Sequence, residues 1–459
     1  LYINQGGEFY DVTPLRSTTA AGDVTFSATN GSSVITVTDT SHGAAQNDFV
    51  TFSGAASLGG NVTANVLNQE YQITEIVDAN SYKISARAAS TTIKSITVDG
   101  QISASAVTAN SSDTGNGGSS VVGKYQINTG LTNVVTGTGW GAGTWGGGTW
   151  GTASALTVVN TLRIWTQDNF GEDLLSCVRD GGIFFWDTSA DVLGTDRVTA
   201  LASLAGADAE TPTIAKQVLV SDRDRHVIVF GCDGETSIGT QDPLLIRFSS
   251  QESLTTWKAE TTNTAGELRI SSGSEIVTAV ETKSQILVFT DVSVHSMQFL
   301  GPPFTFGVSQ ISENTTIMGP MAAKAVDDAG FWLGFEDFYV YNGQVQKLPC
   351  TVRSYVFNDF NSSQSEKVTA ALNSSDSEVW WFYPSSSSTE IDRYVIYNYE
   401  EKVWYFGTLP RTVWLDRGVN NFPLAASTDG YLYDHENGLN DGSTNPPTPM
   451  TSFIESSQL

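Results

Sequence analysis

Apolar positions in this chain come in short runs bounded by Gly, Asn, Asp, Ser and Pro, and almost nowhere at helical spacing. Val227-Ile228-Val229-Phe230, Leu287-Val288-Phe289 and Phe331-Trp332-Leu333 are apolar throughout, whereas Ser33-Val34-Ile35-Thr36-Val37-Thr38 and Tyr71-Gln72-Ile73-Thr74-Glu75-Ile76 alternate. A helix needs apolar positions three and four apart over several turns. A strand needs alternation, or an unbroken apolar run when both its faces are buried. The pattern therefore predicts an all-β chain, with only short helical candidates at Thr199 to Leu204 and Lys367 to Leu372.

One device recurs. A turn of Gly, Asp or Asn launches a short aromatic strand that closes on Asp or Asn. The copies are Gly6-Gly7-Glu8-Phe9-Tyr10-Asp11, Gly181-Gly182-Ile183-Phe184-Phe185-Trp186-Asp187, Glu336-Asp337-Phe338-Tyr339-Val340-Tyr341-Asn342, Asp392-Arg393-Tyr394-Val395-Ile396-Tyr397-Asn398 and Asp429-Gly430-Tyr431-Leu432-Tyr433-Asp434. In most of them an apolar strand runs into the turn. Two related hairpins fill the gap, Val227–Phe230 with Leu244–Phe248, and Ile286–Phe289 with Val292–Phe299. Such a hairpin cannot bury both faces alone. Copies must stack, and irregular intervals of about 35–60 residues predict the blades of a β-propeller. Inner strands buried between neighbouring blades should read as apolar runs, and outer strands should alternate.

Aromatic content divides the chain. Residues 17–122 hold only Phe26, Phe49, Phe52, Tyr71 and Tyr82, and no Trp. Within them, 23–88 reads as a small β-sandwich or barrel, with Ser81-Tyr82-Lys83-Ile84-Ser85-Ala86 as a strand after an Asp78-Ala79-Asn80 turn. Residues 89–122 read as a Ser/Thr-rich arm. The expected organisation is first propeller strands at 1–16, an inserted β-rich domain at 17–122 and a Gly/Trp-rich loop region at 123–154. A propeller platform at 155–438 follows, then a linker and the start of a further β segment at 439–459. The chain opens inside an apparent strand, Leu1-Tyr2-Ile3, and stops just after Phe453-Ile454-Glu455, so both ends read as cut from something longer; no secretory leader is visible.

Charge removes several functions. Lys and Arg total 23 against 49 Asp and Glu, a formal charge of −26. Gripping a nucleic-acid backbone or an anionic membrane requires clustered cations, and no apolar stretch is long enough to span a bilayer as a helix. A disordered acidic tail would not carry 11 Trp, 15 Tyr and 22 Phe. Cys177, Cys232 and Cys350 are too far apart for a metal-ligand spacing, and read as small buried apolar residues.

Candidate chemistry is sparse. His42, His226, His295 and His435 are isolated from any His or Cys at ligand spacing. Asp434-His435-Glu436-Asn437-Gly438-Leu439-Asn440-Asp441 departs from the EF-hand spacing and reads as an Asx-rich turn. Glycosidase chemistry needs two carboxylates at a set separation, and so many acids leave no pair selected. There is no phosphate-binding G-x-x-x-x-G-K-[ST] and no Gly-x-Ser-x-Gly elbow. Neither an enzyme nor a cofactor is expected. Trp140, Trp145 and Trp150, set among glycines in Gly139 to Gly151, could stack on sugars or pin a glycine-permitted loop to a neighbouring sheet. Ser250-Gln251-Glu252-Ser253-Leu254-Thr255-Thr256-Trp257 resembles the Asp-box turn of propeller sialidases, with Glu for Asp and Leu for Gly. That box is a structural hairpin remote from catalysis.

The succession Arg163-Ile164-Trp165-Thr166-Gln167-Asp168-Asn169-Phe170-Gly171-Glu172-Asp173-Leu174-Leu175, then Asp180 to Asp187, resembles tail nozzle and tail-hub proteins of short-tailed bacteriophages, including tail tubular and packaged-DNA stabilisation proteins. Gly6 to Leu15, Phe248-Ser249-Ser250 with Thr256-Trp257, and Phe331-Trp332-Leu333-Gly334 with Tyr339-Val340-Tyr341-Asn342-Gly343 are similar to the same family. The resemblance spans about 1–16 and 155–435 and rests on strand–turn patterns. It implies a structural virion protein of the phage tail, assembled in the host cytoplasm. The subunit would belong to a homo-oligomeric ring, typically a hexamer, below the portal and adaptor. It would carry or abut tail fibres and pass genomic DNA through a lumen without specific binding. An acidic wall agrees with such a conduit because it repels phosphates; acidity also serves solubility. The competing readings are a carbohydrate-binding or glycan-cleaving propeller that uses the Trp-bearing loop, and an extracellular adhesion protein of a bacterium.

Overall fold

The computed structural model describes residues 1–89, 105–133, 162–301, 304–428 and 430–438, with Asn440 and Pro446. Trp140, Trp145 and Trp150, part of the expected Ser/Thr-rich arm, and the closing Phe453-Ile454-Glu455 lie outside the described residues, as do Asp429, Leu439 and Asp441. The chain forms two compact units, Leu1–Ile317 with Asn342–Val345, and Met318–Tyr341 with Gln346–Leu459.

The first unit opens with a hairpin, β1 (Tyr2–Gln5) and β2 (Glu8–Asp11). Its two-residue turn needs positive φ at both positions, which Gly6 (+64°) and Gly7 (+86°) supply without a Cβ clash. A small β-domain follows: β3 (Leu15–Thr18), β4 (Thr25–Ala28), β5 (Val34–Thr38), β6 (Phe49–Ser53), β7 (Glu70–Gln72), β8 (Glu75–Asp78), β9 (Ser81–Ser85) and β10 (Val122–Gln126). They make two four-stranded antiparallel sheets, β3-β10-β6-β7 and β4-β5-β9-β8, over one core that includes Phe26, Ile35, Val37, Phe52, Tyr82 and Tyr125. Alternation does what it should: Ile35 and Val37 point inward and Val34 and Thr36 outward. Strands β3 and β10 pair, so the entry and exit of this insertion meet. Tyr71 to Ile76, expected as one strand, is two. The chain leaves β7 in one sheet and enters β8 in the other, crossing at Ile73 and Thr74, because each half pairs in a different sheet.

Three four-stranded meanders complete the first unit. They are β11 (Trp165–Phe170), β12 (Asp173–Val178), β13 (Ile183–Trp186) and β14 (Thr199–Ala200); β15 (Gln217–Val220), β16 (Val227–Phe230), β17 (Leu245–Phe248) and β18 (Gly266–Arg269); and β19 (Ile276–Glu281), β20 (Ile286–Thr290), β21 (Ser293–Gly301) and β22 (Thr305–Glu313). The second unit repeats the plan with β23 (Ala323–Val326), β24 (Ala329–Leu333), β25 (Phe338–Tyr341) and β26 (Val345–Lys347), then β27 (Thr369–Asn373), β28 (Glu378–Tyr383), β29 (Arg393–Asn398) and β30 (Val403–Thr408). It ends on a three-stranded sheet, β31 (Arg411–Leu415), β32 (Leu424–Ser427) and β33 (Leu432–Asp434). Successive antiparallel meanders of consecutive strands make the chain an all-β, propeller-like fold. After the opening hairpin, every recurring aromatic segment is the third strand of its sheet, and the apolar run before it is the second.

The reason is burial on two faces. In the β15–β18 sheet, Val218, Val220, Val227 and Val229 pack on Leu175, Cys177, Ile183 and Phe185 of the preceding sheet. Leu219, Ile228, Phe230, Ile246 and Phe248 pack on Ile276, Ile286, Val288 and Phe306 of the next. Alternate residues thus face different neighbours, and both must be apolar. In the second unit, the β27–β30 sheet is likewise covered on both sides. Phe338 packs edge-on against Trp381 (5.0 Å between centroids) from one side, and Trp414 stacks on Trp380 (5.1 Å) from the other. Trp381 Nε1–H donates to the Ala322 carbonyl (3.1 Å) and Trp414 Nε1–H to the Leu372 carbonyl (3.1 Å), so burying the indoles strands no donor.

Both helical candidates are corrected. Thr199 and Ala200 pair with β13, leaving a single 3-10 turn at Leu201–Ser203, and Lys367 ends a 3-10 turn before strand β27. Neighbouring sheets that need a first or fourth strand override weak local helical preference. The described α-helices are Ala64–Leu67 and Arg353–Asn358.

Candidate functional site

The residues singled out by type do not converge. His42 Nε2 lies 3.0 Å from the Asp78 carbonyl, and its Nδ1 accepts the Ala44 N–H (3.0 Å). His226 is buried edge-on among Phe248, Phe299 and Phe306. His295 contacts Ser293 Oγ (3.0 Å) within β21. His435 accepts from Arg411 Nε–H (2.9 Å); burial, then Arg411, push its imidazole down to about 4. Among the described residues no three His, Cys, Asp or Glu are placed to hold a metal. Cys177 and Cys232 are buried and unpaired, and burial raises the Cys177 thiol to about 12. Thiols so protonated are poor nucleophiles.

The Asp-box-like segment is a turn following β17. Ser250 N–H donates to the Thr256 carbonyl (2.8 Å), Glu252 takes positive φ, and Trp257 is buried with Nε1–H on the Leu254 carbonyl (2.8 Å). The Arg247 guanidinium lies over the Trp257 ring. The segment holds a loop in place.

The chemistry instead gathers where the first strands of consecutive sheets meet. These strands belong to different sheets and have no backbone ladder between them, so their polar groups need side-chain partners. Val218 and Val220 on β15 donate N–H to Thr166 Oγ1 (3.2 Å) and Asp168 Oδ2 (2.7 Å) on β11. On the other side, Gln217 Nε2–H donates to the Ala279 carbonyl (2.7 Å), and its Oε1 accepts Ala279 N–H (2.7 Å) and the Thr278 hydroxyl (3.0 Å). At the end of β19, Glu281 accepts Ser221 Oγ–H (3.4 Å) and Asp222 N–H (3.3 Å). The seam therefore ends in three carboxylates, Asp168, Asp222 and Glu281. The second unit uses the same clasp: Asp416, just past β31, accepts the N–H of Ser374, just past β27 (3.3 Å).

Electrostatics follow from the crowding. Burial, then Asp222 and Asp168, push the Glu281 carboxyl up to about 7, against the bonds from Asp222 N–H and Ser221. Burial also raises Asp168, partly offset by the Val220 N–H. Beside Glu281 a small cleft is lined by Arg223, Asp224, Gln285, Phe299 and Phe306. Among the described residues no metal-binding set stands at the seam. What it presents is three carboxyl groups in a hydrogen-bonded frame, with Arg223 and Lys283 at the same cleft.

Sequence reasoning missed these carboxylates among so many acids. A usable signal was present: each lies in or just past the first strand of a meander, Asp168 within β11, Asp222 two residues past β15 and Glu281 at the end of β19. Finding it requires knowing which strand is first.

Neither a family model nor a curated protein matches the chain. Among solved structures, the extracellular domain of a one-component system of B. thetaiotaomicron aligns at TM-score 0.38 and 11% identity, covering 60% of this chain and 32% of that one. The chain thus spans about a third of that protein's length. The computationally designed Ika8 protein aligns at 0.36 and 12%, covering 60% and 71%, and Hsv2 of Kluyvelomyces marxianus at 0.34 and 8%, covering 63% and 78%. None of these likenesses carries an argument about activity.

Proposed function

We propose that this chain is a structural virion protein, a subunit of a phage tail nozzle or hub ring that serves as conduit and gate for DNA below the portal and adaptor and as a platform for tail fibres. The observation that carries the reading is the seam. Three consecutive first strands are tied by side chains, and Asp168, Asp222 and Glu281 gather at their seam. A wall of this kind holds its shape and repels phosphate oxygens, so a duplex slides past it rather than binding. The formal charge of −26 per chain is multiplied in a ring. The strand–turn resemblance to tail nozzle and hub proteins supplies the biological setting.

Closed assembly is the testable consequence. Native mass spectrometry of the full chain, with cryo-EM of virions, should find a cyclic oligomer, with a hexamer expected. A chain that stays monomeric in every condition, with no corresponding ring in virions, overturns the reading. Fluorescence anisotropy with duplex DNA at low salt should show no binding. A glycan array with strong hits would favour the carbohydrate-binding alternative.

A further inference from the structure

The β21–β22 hairpin is set apart by length and by charge. Its strands run nine residues each, and no other described strand exceeds six. From Val292 to Ser312 the sequence holds no Asp, Glu, Lys or Arg. By register Phe299 faces Phe306, and just beyond that pair Leu300 is 60% and Phe304 73% exposed. The pair joins a core with Phe230, Ile246 and Phe248 of the preceding sheet, so it is where the far end of the hairpin is held.

His226 packs against that pair. It is fully buried, with its ring centroid 5.1 Å from Phe306, 5.8 Å from Phe299 and 6.4 Å from Phe248. Its Nε2 lies 3.1 Å from Thr264 Oγ1, which already accepts the Gln251 N–H (2.8 Å). The Thr264 hydroxyl is thus placed to donate to an unprotonated Nε2, and a neutral imidazole suits the site. An imidazolium would put a charge among three phenyl rings. The charged groups around it do little to welcome one. Its own turn carries Asp222, Arg223, Asp224 and Arg225, two of each sign. Glu281 and Lys283 line the cleft that Phe299 and Phe306 also line. Arg247 of β17 lies over Trp257 in the other core, and Lys258 and Glu260, on the loop that leads to Thr264, pair with each other (3.4 Å). The hairpin strands themselves offer His295 and Glu313, both towards the root.

We propose that His226 is a proton-operated catch on this hairpin: neutral, it holds the Phe299–Phe306 pair in place, and protonated, it frees the far end that bears Leu300 and Phe304. Burial keeps the imidazole below its ordinary value of 6.5, partly offset by Asp224. The closed hairpin therefore binds this proton more weakly than an opened one. The stabilisation from the catch is present above 6.5 and lost as pH falls through the lower folded value. That sense is opposite to the one at Glu281, whose carboxyl is raised. The inference stands independently of the ring reading.

Hydrogen exchange of the full chain, corrected for intrinsic rates, tests it. Between pH 7 and pH 5 the amides of Gln298–Leu300 and Thr305–Gly307 should lose protection by about 3- to 25-fold, the upper figure being the most that one proton taken up at 6.5 in the opened state gives over that range. His226→Phe fills the site with a ring that takes no proton and should keep these amides protected at pH 5. His226→Gln serves as a second proton-free side chain. Glu281→Gln should still show the loss, which separates the catch from the seam. Amides of β28 and β29 should stay protected at both pH values. A flat wild-type profile, an equal loss in the His226 variants, or a loss that extends to β28 and β29 as general acid unfolding would each overturn the proposal. An NMR titration of histidine-labelled wild type needs no substitution: a His226 midpoint at or above 6.5 would overturn it as well.

Discussion

The Glu281 carboxyl makes the seam's stability depend on pH, and the sign follows from the direction of its shift. Its folded value, about 7, lies above the ordinary glutamate value of 4.5, so the folded seam binds this proton more tightly than the unfolded chain does. The stabilisation is complete below about pH 4.5 and is lost as pH rises through 7. Taken at face value, that difference corresponds to about 3 kcal/mol. Glu281 is partly exposed, and solvent screening reduces the figure to about 1–2 kcal/mol. Glu281→Gln keeps an acceptor for Ser221 and Asp222 N–H without the charge. Hydrogen exchange of the Val220, Asp222 and Ala279 amides, corrected for intrinsic rates, reads the seam locally in a chain of two units. Between pH 6 and 8 these amides in the wild type should lose protection by a factor of up to about 10, the most that one proton with a folded value of about 7 can give over that range, and in Glu281→Gln they should not. At pH 5 the two proteins should match. Parallel pH profiles, or a wild type better protected at pH 8, would refute the argument.

Two further expectations concern packing and loop closure. Trp414→Ala removes the indole stacked on Trp380 and its bond to the Leu372 carbonyl, and should cost about 3–5 kcal/mol in urea denaturation followed by Trp fluorescence. Asp113 accepts N–H bonds from Gly60 (2.8 Å), Asn61 (3.0 Å), Val62 (3.0 Å) and Asn110 (2.8 Å). Desolvation pulls its carboxyl up, but these donors outweigh it and hold it below the ordinary value of 3.8. Its contribution is present above that value and lost as pH falls through the lower folded one. Asp113→Asn should cost about 2 kcal/mol, seen as faster exchange at Gly60–Val62; unchanged exchange there would count against the assignment.

Local pattern by itself determined the all-β class, the two kinds of β-region and many of the residues that form the second and third strands of the meanders. Val227–Phe230 and Ile183–Trp186 are apolar at every position because alternate side chains face different neighbouring sheets, and that demand is written residue by residue. Alternation at Ile35 and Val37 announced a sheet with a single buried face in the same way. Tertiary structure decided the rest. The break between β7 and β8, and the choice of strand over helix at Thr369–Asn373, depend on which strand each segment pairs with, β7 with β6, β8 with β9 and β27 with β28, which the run itself does not encode. The seam depends on them most. Asp168, Asp222 and Glu281 lie dozens of residues apart and look like any other acids, and only the stacking of first strands makes them neighbours that share a proton-dependent field.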